Sequence, residues 1–217
     1  MPAAGNASRW KGFPKECLPA SNGETFLSRT VESLKMCGCD VVLVISHASK
    51  IQLHAYLLKD QEGVLFALQQ GEEIWAAFTT ALKTPADEYC FLMPDTYVPD
   101  SPFPTRFDKD FGIGFFQTWE PERFGVLRDG QIVDKQPGDV PCQAWGVLAW
   151  KKPVADLWKH QTFPCHTDAI NAAIMKFDFD SWILDYYCDI GSMEFYIDFL
   201  LKSYAEGEDA NPGIAAD

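Results

Sequence analysis

Apolar residues recur along this chain with two periods, and their alternation predicts its elements. Phe26, Leu27, Val31 and Leu34 fall at helical spacing across residues 24–37, and Gly38 supplies a stop. The run from Asp40 to Ile45 is unbroken, apolar and mostly β-branched after its first residue, the signature of a strand covered on both faces of a parallel sheet. Residues 49–58 predict a helix, 64–68 a strand and 72–83 a helix. Tyr89 to Met93 predicts a second buried strand, closed by Pro94. Strand alternating with helix is the pattern of a doubly wound α/β domain. Ligands of such sheets collect beyond the carboxyl ends of the strands, and Asp95 lies just past one.

The second half is less regular. Residues 111–117 and 123–135 predict strands, the latter folded at Asp129-Gly130 as a hairpin. Residues 143–150 predict another strand. Residues 153–160, 167–177 and 193–204 predict helices, with a polar, frayed tail beyond. Residues 1–23, rich in Gly, Pro, Ser and Lys, read as a long loop.

Composition narrows the function more than the fold. The 217 residues are 47% hydrophobic and 23% charged, which is globular, and they suffice for one α/β domain with a sizeable core. The 31 acidic residues against 18 basic give a net charge of −13, which argues against nucleic acid or anionic membrane as partner. Aromatics reach 14% and gather between Phe103 and Tyr204, so they build either a dense core or a ligand face. Seven cysteines without a CxxC pair suggest buried thiols in a reducing compartment. The chain shows no leader-like start and no apolar run of roughly 20 residues, which predicts a cytoplasmic protein.

In so acidic a chain, cations placed around loops are informative. The opening segment from Pro2 to Arg9 is made of small residues, whose amides can nest an anion, and Arg9 and Lys15 add charge beside it. A flexible terminus with two solvated cations fits the same residues. Asp95 suits a magnesium ligand or a turn aspartate. Asp189, before the last helix, suits a second metal carboxylate or a helix cap. Lys135, at a strand end, suits a point charge for a phosphate monoester or an ordinary surface lysine. No HExxH, GxSxG or GxxxxGK[ST] pattern occurs.

Six segments together resemble the sugar-phosphate nucleotidyltransferase family, which includes glucose-1-phosphate thymidylyltransferases and uridylyltransferases. Residues 2–19 resemble its Ala-Ala-Gly-x-Gly-x-Arg and Pro-Lys-x-Leu-x-Pro opening, with Ala7 and Ser8 in place of Gly and Thr. Residues 91–96 resemble its Leu-x-Asp metal motif, and Glu122 to Val126 its Arg-Tyr/Phe-Gly-Val segment. Val133-Asp134-Lys135-Gln136 resembles Val-Glu-Lys-Pro, with Asp and Gln substituted. Thr167 to Asn171 resembles Thr-Asp-Ala-Ile/Leu-Asn, and Asp189 to Glu194 resembles Asp-x-Gly-Thr-x-Glu. Against the family pattern, the full first strand is expected to be nearly absent or very short here, and the C-terminal extension that many relatives use for assembly or regulation is expected to be missing.

The resemblance implies a Rossmann-like, glycosyltransferase-A-like three-layer sandwich with a mixed central sheet. It implies one nucleotidyltransferase domain over residues 1–217, with residues 1–110 serving the nucleotide and 111–205 the sugar phosphate. A nucleoside triphosphate, with dTTP or UTP favoured, would join a sugar 1-phosphate and release pyrophosphate. Asp95 and Asp189 would hold Mg²⁺, Arg9 and Lys15 would face the departing pyrophosphate, and Lys135 the sugar phosphate. Backbone amides of Ala4, Gly5 and Asn6 would line the nucleotide, and Gln69 or Gln70 would read the base, since an amide both donates and accepts. The rivals are a cytidylyltransferase acting on a phosphorylated alcohol such as phosphocholine, and a non-catalytic nucleotide-sugar-binding regulator. Monomer and small homo-oligomer both fit.

Overall fold

The computed structural model describes residues 1–5, 10, 12–20, 23–71, 73–98, 101–104 and 107–209. The first helix, α1 (Phe26–Met36), starts where Thr25 accepts a hydrogen bond from the Ser28 amide at 3.1 Å. It buries Phe26, Leu27, Val31 and Leu34, the stripe that its sequence period predicts. Gly38, at φ +87°, ends it: the Gly38 amide donates to Lys35 O and the Cys39 amide to Leu34 O, closing the last carbonyls. Only glycine adopts that φ freely, so Gly38→Ala is expected to cost about 1 kcal/mol in denaturant unfolding without changing activity.

Three parallel strands follow one another across the amino-terminal half in the order β1 (Pro2–Ala3), β2 (Val42–Ser46), β3 (Val64–Leu68). Helices α2 (Ile51–Leu57) and α3 (Ile74–Ala81) connect onward. The opening segment is therefore not wholly loop. Pro2 and Ala3 pair with Ile45 and Ser46, because β2 has a free edge that two residues can satisfy.

A mixed six-stranded sheet forms the centre. Its spine is β9 (Cys142–Lys151), antiparallel to β4 (Glu88–Phe91), to β6 (Phe111–Thr118) and, through Val126, to β7 (Gly125–Arg128). The Asp129-Gly130 turn joins β7 to β8 (Gln131–Asp134), as its residues predict. The edge strand β10 (Phe179–Ile183) runs parallel to β6. It escapes sequence reading because Asp178 and Asp180 break its apolar pattern; the Asp180 carboxylate accepts the Asp108 and Lys109 amides at 2.9 and 3.1 Å.

Helices α4 (Lys152–His160) and α5 (His166–Lys176) pack with α3 against an aromatic core. Phe78 stacks on Trp158 with centroids 5.2 Å apart, and Trp150 lies 5.0 Å from Trp158. The aromatics of the second half are thus mainly core. A second core cluster joins the two sheets, setting Val42 and Val44 against Leu92, Val147 and Ala149. A short ribbon, β5 (Thr96–Tyr97) with β11 (Cys188–Asp189), precedes the final helix α6 (Met193–Asp209), which runs past the predicted residue 204. All seven cysteines are free and half-buried, not enclosed. Among the described residues no helix is long and apolar enough to cross a membrane.

Candidate active site

The ribbon decides which carboxylates meet. Asp95 follows β4 as its position after Pro94 predicts, and its carbonyl accepts the Ile190 amide at 3.1 Å. Asp189 pairs with Thr96 across the ribbon. Two aspartates 94 positions apart in sequence, from Asp95 to Asp189, are thereby brought into one field. Burial and the charge of Asp95 push the Asp189 carboxyl above the usual carboxylate range, against the pull of Lys15 and Arg123.

Both aspartates are held by internal cations. Lys15, in a 3-10 turn at Lys15–Cys17, forms an ion pair with Asp95. Burial works against its ammonium, but Asp95, and behind it Asp189 and Glu16, outweigh burial and raise its pKa. Arg123 donates to Asp189 at 2.8 Å and to Glu120 at 2.6 Å, and its guanidinium lies 3.8 Å from the Phe195 ring centre on α6. Sequence reading passed over Arg123 as a site residue, although the segment carrying it was singled out.

Beside this cluster lies a cleft lined by Ala4, Gly5, Lys15, Gln69, Ile74 and Asp95. Gln69 is buried at the end of β3. Its side-chain amide donates to Gly71 O and Glu73 O, both at 3.0 Å, which spends its donors and fixes its orientation. Its Oε1 is buried with no partner among the described residues. Gln70 is exposed, and Gln69 is the glutamine that lines the cleft. Arg9 and Asn6 lie outside the described residues.

Lys135 sits apart from the aspartates, on the residue following β8, exposed and at φ +49°. Its amide donates to Phe124 O at 3.0 Å. Its ammonium makes no ion pair among the described residues. Near it, three buried polar atoms lack partners there: Trp145 Nε1, His166 Nδ1 and Thr167 Oγ1. Burial, and after it the charge of Lys135, lower the His166 pKa, with Asp134 and Glu73 opposing, so the imidazole is neutral at pH 7. Glu73 also lines the cleft, so the two regions adjoin. Gly125 is required here by closeness: a Cβ would come 2.4 Å from Trp145 Nε1. Asn171 ties α5 to β8 by exchanging bonds of 2.7 and 2.9 Å with the Ile132 backbone. The histidine and tryptophan carried no spacing that sequence reading recognises.

Glu16 also lines the cleft, with its carboxylate paired to Lys50 and His54. Burial alone would raise its pKa, but His54 and Lys50 outweigh burial and hold the carboxyl below its usual range. A depressed acid stabilises the fold above the unfolded-state carboxylate pKa, and that stability is lost as pH falls through the folded-state pKa. Glu16→Gln is therefore expected to flatten the acid side of the stability–pH curve. Denaturant unfolding between pH 3 and pH 7, roughly the window of carboxylate titration, checks it; an unchanged slope would contradict it.

Among the described residues no cluster of three or more His, Cys, Asp or Glu is placed to hold a metal. The two aspartates alone suit Mg²⁺, which takes one or two carboxylates and leaves positions for phosphate and water. A cation would also relieve the repulsion that raises Asp189.

Residues 2–105 match the MobA-like NTP transferase domain family. No curated protein matches the chain in sequence. Several solved structures share its fold. A Bacillus anthracis protein assigned as glucose-1-phosphate thymidylyltransferase, solved with sucrose, is 18% identical over 98% of this chain and 96% of its own, at a TM-score of 0.80. UDP-glucose pyrophosphorylase from Acinetobacter baumanii is 18% identical over 95% and 92%, at 0.76. Inositol-1-phosphate CTP transferase from T. maritima is 15% identical over 99% and 96%, at 0.71. These likenesses establish the α/β fold with its mixed central sheet.

Proposed function

Starting from a chain whose residues 2–105 match the MobA-like NTP transferase domain and whose fold is that of sugar-phosphate nucleotidyltransferases, we propose that the protein condenses a nucleoside triphosphate with a sugar 1-phosphate. An oxygen of the sugar phosphate attacks the α-phosphorus. The new P–O bond forms as the α–β bridge breaks, and pyrophosphate leaves with the bonding electron pair. Residues 1–110 serve the nucleotide and 111–205 the sugar phosphate. The observation that carries this reading is the convergence of Asp95, Asp189 and Lys15 beside the Ala4–Gly5 backbone.

Catalysis of this kind is positioning and charge neutralisation. Asp95 and Asp189 would hold Mg²⁺, which when bound would supply charge neutralisation at the phosphate oxygens and Lewis-acid polarisation of the α-phosphorus. Lys15, with Arg9, faces the departing pyrophosphate. The amides of Ala4, Gly5 and Asn6 line the nucleotide. The side-chain acceptor left to Gln69, Oε1, is complementary to a ring N–H such as the N3–H of uracil or thymine, whereas the ring N1 of adenine is itself an acceptor. That supports dTTP or UTP over ATP; guanine, which carries an N1–H, is separated by the triphosphate screen.

The partnerless polar atoms around Lys135 support a sugar phosphate there, since each buried group without a partner is costly until a ligand satisfies it. Lys135→Ala is expected to raise the KM for the sugar phosphate about tenfold or more, the cost of one charge-assisted contact, and to leave the triphosphate KM nearly unchanged. Equal effects on both substrates would place Lys135 elsewhere.

The test is pyrophosphate release from five triphosphates against a panel of sugar 1-phosphates. Inositol 1-phosphate and phosphocholine belong in the panel, because the fold also carries an inositol-1-phosphate CTP transferase. Turnover of CTP with an alcohol phosphate would replace the sugar reading with that one. Binding of nucleotide sugars without pyrophosphate release would make the protein a non-catalytic regulator.

A further inference from the structure

Three charged or polar side chains are enclosed beside the Lys15–Cys17 turn, outside the set that the proposed reaction uses. Glu16 Oε1 lies 3.0 Å from Lys50 Nζ and 3.1 Å from His54 Nε2. His54, at 0% exposure, has its Nδ1 2.9 Å from Ser46 Oγ at the end of β2. Lys50, just ahead of α2, also donates to the Gly5 carbonyl. One ammonium therefore grips the chain on both sides of the segment between Gly5 and Glu16.

A buried ion pair is a poor source of stability, because removing two charges from water costs about as much as their attraction returns. What such a pair supplies is direction. Glu16 is the middle residue of the 3-10 turn, whose closure is fixed by Cys17 N–H to Pro14 O at 2.9 Å and Leu18 N–H to Lys15 O at 3.0 Å. A turn so closed moves as a unit. Holding Glu16 on Lys50 holds the adjacent Lys15 on Asp95. The same ammonium fixes the Gly5 peptide, which lines the cleft.

We infer that Lys50 and Glu16 are positioning residues for the triphosphate side of the site: their buried pair sets the Lys15 turn and the Gly5 backbone in register. The inference rests on the proposed role of Lys15, and it assigns no contact between Lys50 and substrate. The alternative is that the pair only fills space, and hydrophobic replacement separates the two.

The experiment compares wild type, Lys50→Met and the double variant Lys50→Met/Glu16→Leu. Hydrogen exchange at the Cys17 and Leu18 amides is read in the free protein, with β6 and β9 as internal reference. Kinetics with the triphosphate and sugar phosphate of the screen follow. In Lys50→Met, exchange at Cys17 and Leu18 rises about tenfold while β6 and β9 are unchanged. Triphosphate kcat/KM falls about tenfold or more, and the sugar-phosphate KM stays within about twofold, as expected for one lost charge-assisted contact. The double variant unfolds at the same denaturant concentration as wild type, yet keeps the kinetic defect. Recovery of both stability and triphosphate use in the double variant would overturn the inference, as would unchanged exchange at Cys17 and Leu18 in Lys50→Met. Wild type inert to every triphosphate would instead overturn the proposed function, with the exchange data still deciding whether the pair pins the turn.

Discussion

Asp95→Asn and Asp189→Asn are each expected to lower kcat by about two to three orders of magnitude while the protein remains folded. Asparagine matches aspartate in shape but removes one negative oxygen, and a Mg²⁺ held by two carboxylates loses half its anionic ligands. Stability should move little, or rise, in Asp189→Asn. Burial and Asp95 already disfavour the ionised Asp189, and only Lys15 and Arg123 offset them. A group that is costly to the fold yet stands beside a cleft is a sign of stability yielded to function. Pyrophosphate release with saturating substrates gives the first quantity, and denaturant unfolding the second. Near-normal turnover in either variant removes that residue from the ligand pair. Asp185 does not take its place readily, since it is exposed and lines a separate groove with Phe103 and Trp182.

The elements easiest to read in sequence are those whose burial has one clean period. β2 is apolar up to its last residue, Ser46, because both its faces are covered, and α1 carries its apolar stripe between a Thr25 cap and a Gly38 stop. The strands that sequence reading missed or left undefined lack such a pattern. β10, at an edge, has its apolar run broken by Asp180 and Ser181, and β1, β5 and β11 are two residues each, too short for any period. The site divides the same way. Asp95 and Asp189 are legible because each follows a recognisable motif. That they share a field depends on a two-residue ribbon with no sequence signature. The choice between Gln69 and Gln70 was open because adjacent strand-end residues point oppositely, and only the fold says which is buried. Lys50 and His54 lie 34 and 38 residues beyond Glu16, so nothing local announces that they enclose it.

Lys15→Ala should separate two properties that most active-site substitutions move together. In the free protein the Lys15 ammonium neutralises Asp95, and its own pKa is raised by that carboxylate and by Asp189. Removing it leaves Asp95 without its ion-pair partner and deepens the negative field that Asp189 already feels. A divalent cation should then bind more tightly in the absence of nucleotide, because it no longer competes with an internal cation. Turnover should move the other way. The β- and γ-phosphates gain charge as the α–β bridge breaks, and a cation placed for that charge is worth about two to three orders of magnitude in kcat. Titration of Mn²⁺ as a magnesium surrogate, followed by its effect on water proton relaxation, reads the first effect, and single-turnover pyrophosphate release reads the second. Weaker metal binding together with lost turnover would mean that Lys15 supports the carboxylates and does not compete with the metal. Unchanged turnover would remove Lys15 from the pyrophosphate altogether. Tighter metal binding with failed chemistry is the combination that this geometry predicts, and it requires that Lys15 exchange Asp95 for phosphate when the nucleotide arrives.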